Sequence, residues 1–223
     1  MSTMSKLNES ATSRITVRFP QVDPAGIMFY PRYFEIAVRQ FPDVPLTSPP
    51  FTLKTQFIKP NRLGDKIDLS LVHDSGSPSW LIVGRMNGEE HFSMRLFHDE
   101  SELFADAHHP DLPAFKSDEG EIGEWAAGHN GRIILSRYFE FLNMAIEEWF
   151  EDSIKMPFHE LHYGRSIGIP TVQFDTRIRS FPPTSSKVSM WLRPTKLGRR
   201  AMTFKSWFVV GGQCLVENEQ AVV

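Results

Sequence analysis

A single cysteine, Cys214, stands in a chain of 223 residues, which excludes an intrachain disulfide framework and fits a reducing compartment. It lies in a strand-like run, where a buried structural thiol is expected rather than a nucleophile. No apolar stretch approaches the roughly 20 residues of a membrane span. The polar start, Met1 to Arg14, lacks the apolar segment of a signal peptide. Residues 1–14 therefore read as a disordered tail, and a cytoplasmic location is expected. Net charge is only −3, which gives no electrostatic case for nucleic acid or an anionic membrane. A Walker loop, a dinucleotide glycine pattern and a Gly-x-Ser-x-Gly elbow are all missing. His108-His109 and the His159/His162 pair lack zinc-site spacing and cysteine partners, so neither metal nor cofactor is expected.

What the chain does contain is a duplication. Val22 to Glu35 reads VDPAGIMFYPRYFE, and a weaker copy, AGHNGRIILSRYFE, runs from Ala127 to Glu140. Tyr33 and Tyr138 in the shared Arg-Tyr-Phe-Glu are 105 positions apart. A second pair of segments, Lys66 to Leu71 and Lys187 to Leu192, matches at an offset of 121. The extra residues fall in the helix and its exit, so the first unit has the shorter helix. Two units of roughly 100 residues are each marginal in surface-to-volume ratio, so they are expected to pack face to face.

Each copy has the same pattern. Ile15 to Phe19 alternates like a strand, and Ile27 to Phe41 carries apolar residues at helical spacing before Pro42, Pro45, Pro49 and Pro50. Leu53 to Lys59, Lys66 to Val72, Trp80 to Met86 and Glu90 to Phe97 alternate as strands, the last two flanking the hairpin signal Asn87-Gly88. Glu100 to Gly120 breaks the pattern and reads as the connection. Glu121 to Trp125 is a short strand candidate, and a longer helix is expected from about Leu135 to Ile154. Strands follow at Val172 to Arg179, Lys187 to Leu192, Ala201 to Val210 and Gln213 to Val223, with Gly211-Gly212 as a hairpin turn. The fold class is α+β, divided as residues 15–99, a connection at 100–120, and 121–223.

These segments resemble the hotdog fold, specifically the 4-hydroxybenzoyl-CoA thioesterase-like acyl-CoA thioesterases. The likeness rests on Val22 to Phe34, on Lys59-Pro-Asn-Arg-Leu-Gly-Asp65 at the entry to a long strand, and on the basic Gly-Arg turn Thr195 to Arg200. It implies two tandem hotdog domains, each a long helix wrapped by an antiparallel sheet, joined as a pseudo-dimer. It also implies hydrolysis of an acyl-CoA or acyl-carrier-protein thioester. Such sheets leave edges and a broad outer face, on which whole chains could pair further into a homodimer.

Thioester hydrolysis needs a nucleophile or general base, and donors for the developing oxyanion. Asp23, just before the helix, is the candidate for either role. Gly26 allows close approach to the backbone, and the helix start at Phe29 and Tyr30 offers unpaired N–H groups and a positive dipole end. By resemblance, Asp23 matches the family's catalytic aspartate, and Tyr30 matches the residue whose N–H polarises the carbonyl. An Asp-Pro pair also starts turns and caps helices, which is the structural alternative. In the second copy Gly128 replaces the aspartate, leaving His129 and Asn130 as a possible degenerate site. Lys196, Arg199 and Arg200 suit the phosphates of coenzyme A, whereas His73 to Trp80, the equivalent loop of the first unit, has no lysine or arginine. Two other readings compete with hydrolysis: a non-catalytic acyl-CoA-binding protein, and an acyl-thioester hydratase or dehydratase. The second is disfavoured by the lack of a histidine beside Asp23.

Overall fold

Alternating apolar and polar residues turn most of this chain into strands, and two breaks in that alternation become helices. The computed structural model describes residues 8–74, 79–98, 114–128 and 130–223. The first repeat runs β1 (Asn8–Thr16), α1 (Tyr30–Gln40), β2 (Phe51–Phe57), β3 (Lys66–Asp74), β4 (Ser79–Met86) and β5 (Glu89–Phe97). The second has the short strands β6 (Phe115–Lys116) and β7 (Gly120–Glu121), then α2 (Leu135–Trp149), β8 (Thr171–Ile178), β9 (Lys187–Leu197), β10 (Met202–Val210) and β11 (Gln213–Val222).

All strands join one antiparallel sheet in the order β1-β3-β4-β5-β2-β8-β11-β10-β9-β6, with β7 also on β9. The order is palindromic about the β2–β8 pair. Asn87 and Gly88, both at positive φ, make the two-residue turn between β4 and β5; Gly211 and Gly212 do the same between β10 and β11.

The helices lie on the inner face. α1 buries Tyr33, Phe34, Ile36 and Ala37, and α2 buries Tyr138, Phe139, Leu142, Ala145 and Ile146. Pro31 sits in the first turn of α1, where a missing N–H is no loss, and the helix stops at Phe41 before Pro42. α2 continues through a wider turn at Phe150–Ile154, closed by Lys155 in the left-handed conformation. Phe34 and Phe139 occupy matching places in the two helices and stack with ring centroids 4.0 Å apart. Lys54 and Asp175, facing each other across β2 and β8, are also matching positions. A pseudo-twofold axis therefore runs through the phenylalanine stack and the Lys54–Asp175 pair, perpendicular to the sheet, and makes the helices antiparallel. One continuous core spans both repeats, as a face-to-face pair requires.

Three details depart from expectation. The first strand lies at Asn8–Thr16 rather than Ile15–Phe19, so residues 8–14 form a sheet edge against β3 instead of a tail. α1 begins at Tyr30, not Ile27, because Ile27 and Met28 are drawn into extended bridges with Arg62 and Val22. The end of the expected connection enters the sheet through β6 and β7, and Glu124–Ala126 is a 3-10 turn rather than strand. The rest of that connection, with His108-His109, lies outside the described residues. No helix among the described residues is long and apolar enough to cross a membrane.

Candidate active site

Asp23 shapes the loop that feeds α1. Its N–H donates to Ile27 O at 2.8 Å and its carbonyl accepts from Gly26 N at 2.9 Å. Its Oδ1 accepts from the N–H groups of Ala25 (2.9 Å) and Ile27 (3.0 Å). Oδ2 has no hydrogen-bond partner among the described residues. Gly26 has φ of +74°, and the space beside its Cα is open. Glycine adopts that conformation without penalty.

The second repeat builds the same loop at an offset of 105. Gly128 N donates to Arg132 O at 2.8 Å, Gly131 N donates to Gly128 O at 3.0 Å, and Gly131 also has positive φ. The acceptor for the Arg132 N–H is now Asn130 Oδ1, at 3.1 Å. Asn130 has thus taken over the turn-holding half of the Asp23 role, and no carboxylate is left. A Cβ added at Gly128 would lie 3.0 Å from the Ile134 side chain, so the loop has also closed on the vacated place. His129 lies outside the described residues.

The helix start is open. Phe29 N donates to Gln21 O, but the N–H of Tyr30, the first residue of α1, has no backbone acceptor among the described residues. With Pro31 next, it is the donor at the positive end of the helix. The Tyr30 side chain points into the other repeat: its hydroxyl donates to Phe139 O at 3.1 Å and its ring lies 5.0 Å from that of Phe174. Burial there raises the phenol pKa well above its usual value.

Because the helices are antiparallel, α2 runs past the start of α1. Glu140, on the face of α2 toward α1, lies 3.0 Å from Arg32 Nη1. Asn143 and Glu147 continue that face at helical spacing. Asn143 is level with Tyr30, and Glu147 stands about 6 Å beyond it along the axis. Asn143 Nδ2 donates to Glu147 Oε1. Glu147 stays accessible to solvent, yet desolvation by its surroundings raises its carboxyl pKa. The matching places in the first repeat hold Val38 and Pro42. Sequence reading missed Asn143 and Glu147; the signal for Glu147 was the greater length of the second helix, which runs past the place of Pro42, whereas Asn143 matches Val38 inside α1. Glu35 and Glu140 are helix-pairing carboxylates, with Arg32 shared between them.

Lys196, Arg199 and Arg200 are exposed at the β9–β10 hairpin. The ladder Leu197–Met202–Val222–Thr171 places that hairpin at the end of the sheet where β2 leaves toward Asn61, whose carbonyl accepts from Met28 N. Asp23 and the basic hairpin therefore share one end of the molecule, with β9 four strand spacings from β2, about 19 Å. Among the described residues no group of three or more His, Cys, Asp or Glu is arranged to hold a metal ion. Cys214 is buried and its thiol is pushed up to about 11, mainly by desolvation.

No family model and no curated protein matches the sequence. Solved structures do match in fold. A protein assigned as an oleoyl thioesterase from Lactobacillus plantarum superposes with a TM-score of 0.71 at 12% identity, covering 96% of each chain. The 12:0-ACP thioesterase from Umbellularia californica gives 0.68 at 10% identity, over 96% of this chain and 93% of that one. An acyl-ACP thioesterase from Bacteroides thetaiotaomicron gives 0.61 at 10% identity, over 96% and 97%. At such identities the likeness is one of fold, and it extends over both repeats: the chain is a tandem pair of hotdog units joined as a pseudo-dimer.

Proposed function

We propose that this protein hydrolyses acyl thioesters, with coenzyme A as the carrier, at a single site on the first repeat. The observation that carries this reading is the loop built twice with a carboxylate in only one copy. Where the turn alone had to be kept, an asparagine in a different position keeps it; Asp23 offers a second oxygen that the turn does not use. The thioesterases among the structural neighbours support the reaction class.

The thioester carbonyl would face the Tyr30 N–H, whose donor and helix dipole favour the developing oxyanion. Asp23 Oδ2 would either attack the acyl carbon, expelling the thiolate and leaving an anhydride for water to cleave, or take a proton from the attacking water. Lys196, Arg199 and Arg200 would meet the phosphates of coenzyme A, since charged donors favour phosphate. Asn143 and Glu147 would border the acyl group from the second repeat.

One observation favours a second reading, in which the chain binds acyl-CoA without cleaving it. Asp23 Oδ1 already caps two backbone N–H groups, a sufficient structural role for an aspartate. Release of free thiol from short, aromatic and long acyl-CoAs and from an acyl carrier protein decides between them. Binding without thiol release would establish the second reading.

A further inference from the structure

We infer that Tyr33, Asn61 and His91 form a buried polar chain that holds the Asp23 loop in its working geometry, an inference that rests on the proposed role of Asp23. All three are nearly inaccessible, at 4%, 0% and 3% exposure. Tyr33 Oη donates to Asn61 Oδ1 at 3.1 Å, and Asn61 Nδ2 lies 2.9 Å from His91 Nδ1. An amide nitrogen can only donate, so in this pair Nδ1 accepts and the ring N–H is the one at Nε2. That Nε2–H is buried and has no acceptor among the described residues.

The chain ends on the loop. Asn61 O accepts from Met28 N at 2.8 Å, Arg62 bridges Ile27, and Leu63 N donates to Gly26 O at 3.2 Å. Residues 61–63 are thus the wall against which residues 26–28 are laid, and Asn61 is the point where the side-chain network grips that wall.

The second repeat does without this network. Pro182 O accepts from Ile133 N at 3.0 Å, in the place of Asn61 O. His91 is the extra residue of a β-bulge between β4 and β5, its carbonyl accepting from Ile58 N at 2.7 Å. Leu215 is the matching extra residue between β10 and β11, its carbonyl accepting from Arg179 N at 2.9 Å. Tyr138 keeps the place of Tyr33 but its hydroxyl faces Ser206. The same backbone is therefore built with proline and leucine where nothing needs positioning. A buried polar chain costs stability relative to an apolar solution. The second repeat has one of its own, in which Thr176 Oγ1 donates to Asn218 Oδ1 and Asn218 Nδ2 to Ser206 Oγ, but the wall of its loop is Pro182, whereas the chain of the first repeat ends on the wall residue Asn61 itself.

The test compares His91→Leu, which copies the second repeat, with His91→Asn, whose Oδ1 can accept in place of Nδ1, and with Tyr33→Phe, which keeps the ring packed on Phe57 and Phe92 and loses only the hydroxyl. His91→Leu is expected to lower kcat for thioester cleavage about 10- to 100-fold, the scale of a small misplacement of a reacting group, with KM little changed. His91→Asn should restore most of that loss, and Tyr33→Phe should lose several-fold in kcat even if His91→Leu fails to fold. Hydrogen exchange of the Ile27 and Met28 amides in the full-length chain, which needs no activity, should quicken in His91→Leu and Tyr33→Phe and stay slow in His91→Asn. Unchanged exchange and kcat in both disruptive variants, or equal loss in His91→Asn, overturns the inference. Quickened exchange with Asp23→Asn still fully active supports the network and removes the proposed role of Asp23 instead.

Discussion

Replacing Asp23 by asparagine and by alanine separates chemistry from scaffolding, because the two substitutions remove different things. Oδ1 accepts two backbone N–H groups. Asparagine can place its amide oxygen on both, so Asp23→Asn should cost less than about 0.5 kcal/mol. Alanine leaves Ala25 N and Ile27 N to solvent or unpaired, a loss of about 1–2 kcal/mol on the scale of helix-cap aspartates. For a chain of this length that is a fall in Tm of about 2–8 °C. Activity should not follow that order. Both variants lack a carboxylate, and both should lose about 10²- to 10⁴-fold in kcat if Asp23 acts as a general base, more if it is the nucleophile. The assay is thiol release from acyl-CoA under saturating substrate, run beside thermal denaturation of each variant. If activity instead tracked stability, with the asparagine variant turning over like the wild type, Asp23 would be a turn residue and the catalytic argument would fall.

Arg199→Ala with Arg200→Ala should raise KM by roughly 10- to 100-fold and leave kcat within a factor of about two, since contacts to a remote part of a substrate act on ground and transition states alike; added salt should shrink the difference, and a fall in kcat alone would place the hairpin elsewhere in the mechanism. Phe139→Ala should destabilise the fold by about 3–5 kcal/mol, because it removes one ring of the stack on the pseudo-twofold axis and exposes Phe34 and Phe174 to a cavity; denaturant unfolding measures it, and a loss under about 1 kcal/mol would refute the shared core. Asn130→Ala should cost about 1 kcal/mol in stability through the freed Arg132 N–H and leave turnover unchanged, whereas a large fall in kcat would mean that the second loop retains chemistry.

Much of the fold was legible because its two periodicities are strong. Alternation marked three of the four long strands of the second half to within a residue, while β9 runs past the expected Leu192 to Leu197, and the 105-residue repeat of Arg-Tyr-Phe-Glu announced two matched helices. The first strand was not legible. Asn8–Thr16 is rich in Ser, Thr and Asn, and it pairs on one side only, so it needs little apolar alternation to hold its place. The short strands at 115–116 and 120–121 exist only because β9 offers them an edge, a tertiary cause with no local signature. For the site, Asp23 and the open helix start followed from local sequence. Asn143 and Glu147 did not, because their nearness to Tyr30 depends on where the pseudo-twofold axis crosses the helices, and that point is set by the packing of Phe34 on Phe139.

The differences between the repeats fall into two kinds, and the distinction bears on function. Some are compensated. Gly84 faces Phe92 across β4 and β5, and a Cβ at Gly84 would lie 2.0 Å from that ring. At the same place in the second repeat the ring has changed strands, with Phe208 facing Val216. Lys54 faces Asp175 at the centre of the sheet, where two identical copies would set like charges against each other. Asn130 takes over the N–H that Asp23 Oδ1 holds. Each of these swaps restores a packing, a charge balance or a hydrogen bond, so each is explained by the fold. Asp23 Oδ2, the basic β9–β10 hairpin, and Asn143 with Glu147 have no such counterpart, while the Tyr33–Asn61–His91 chain is answered in the second repeat by a different one through Ser206, Asn218 and Thr176. Asp23 and Asn143 with Glu147 lie about one helix start, with the basic hairpin at the same end of the sheet, and the opposite start has Gly128, Val38 and Pro42 in the corresponding places. The proposed site on the first repeat, with the second repeat as its far wall, rests on this one-sided placement of Asp23 Oδ2 and of Asn143 with Glu147.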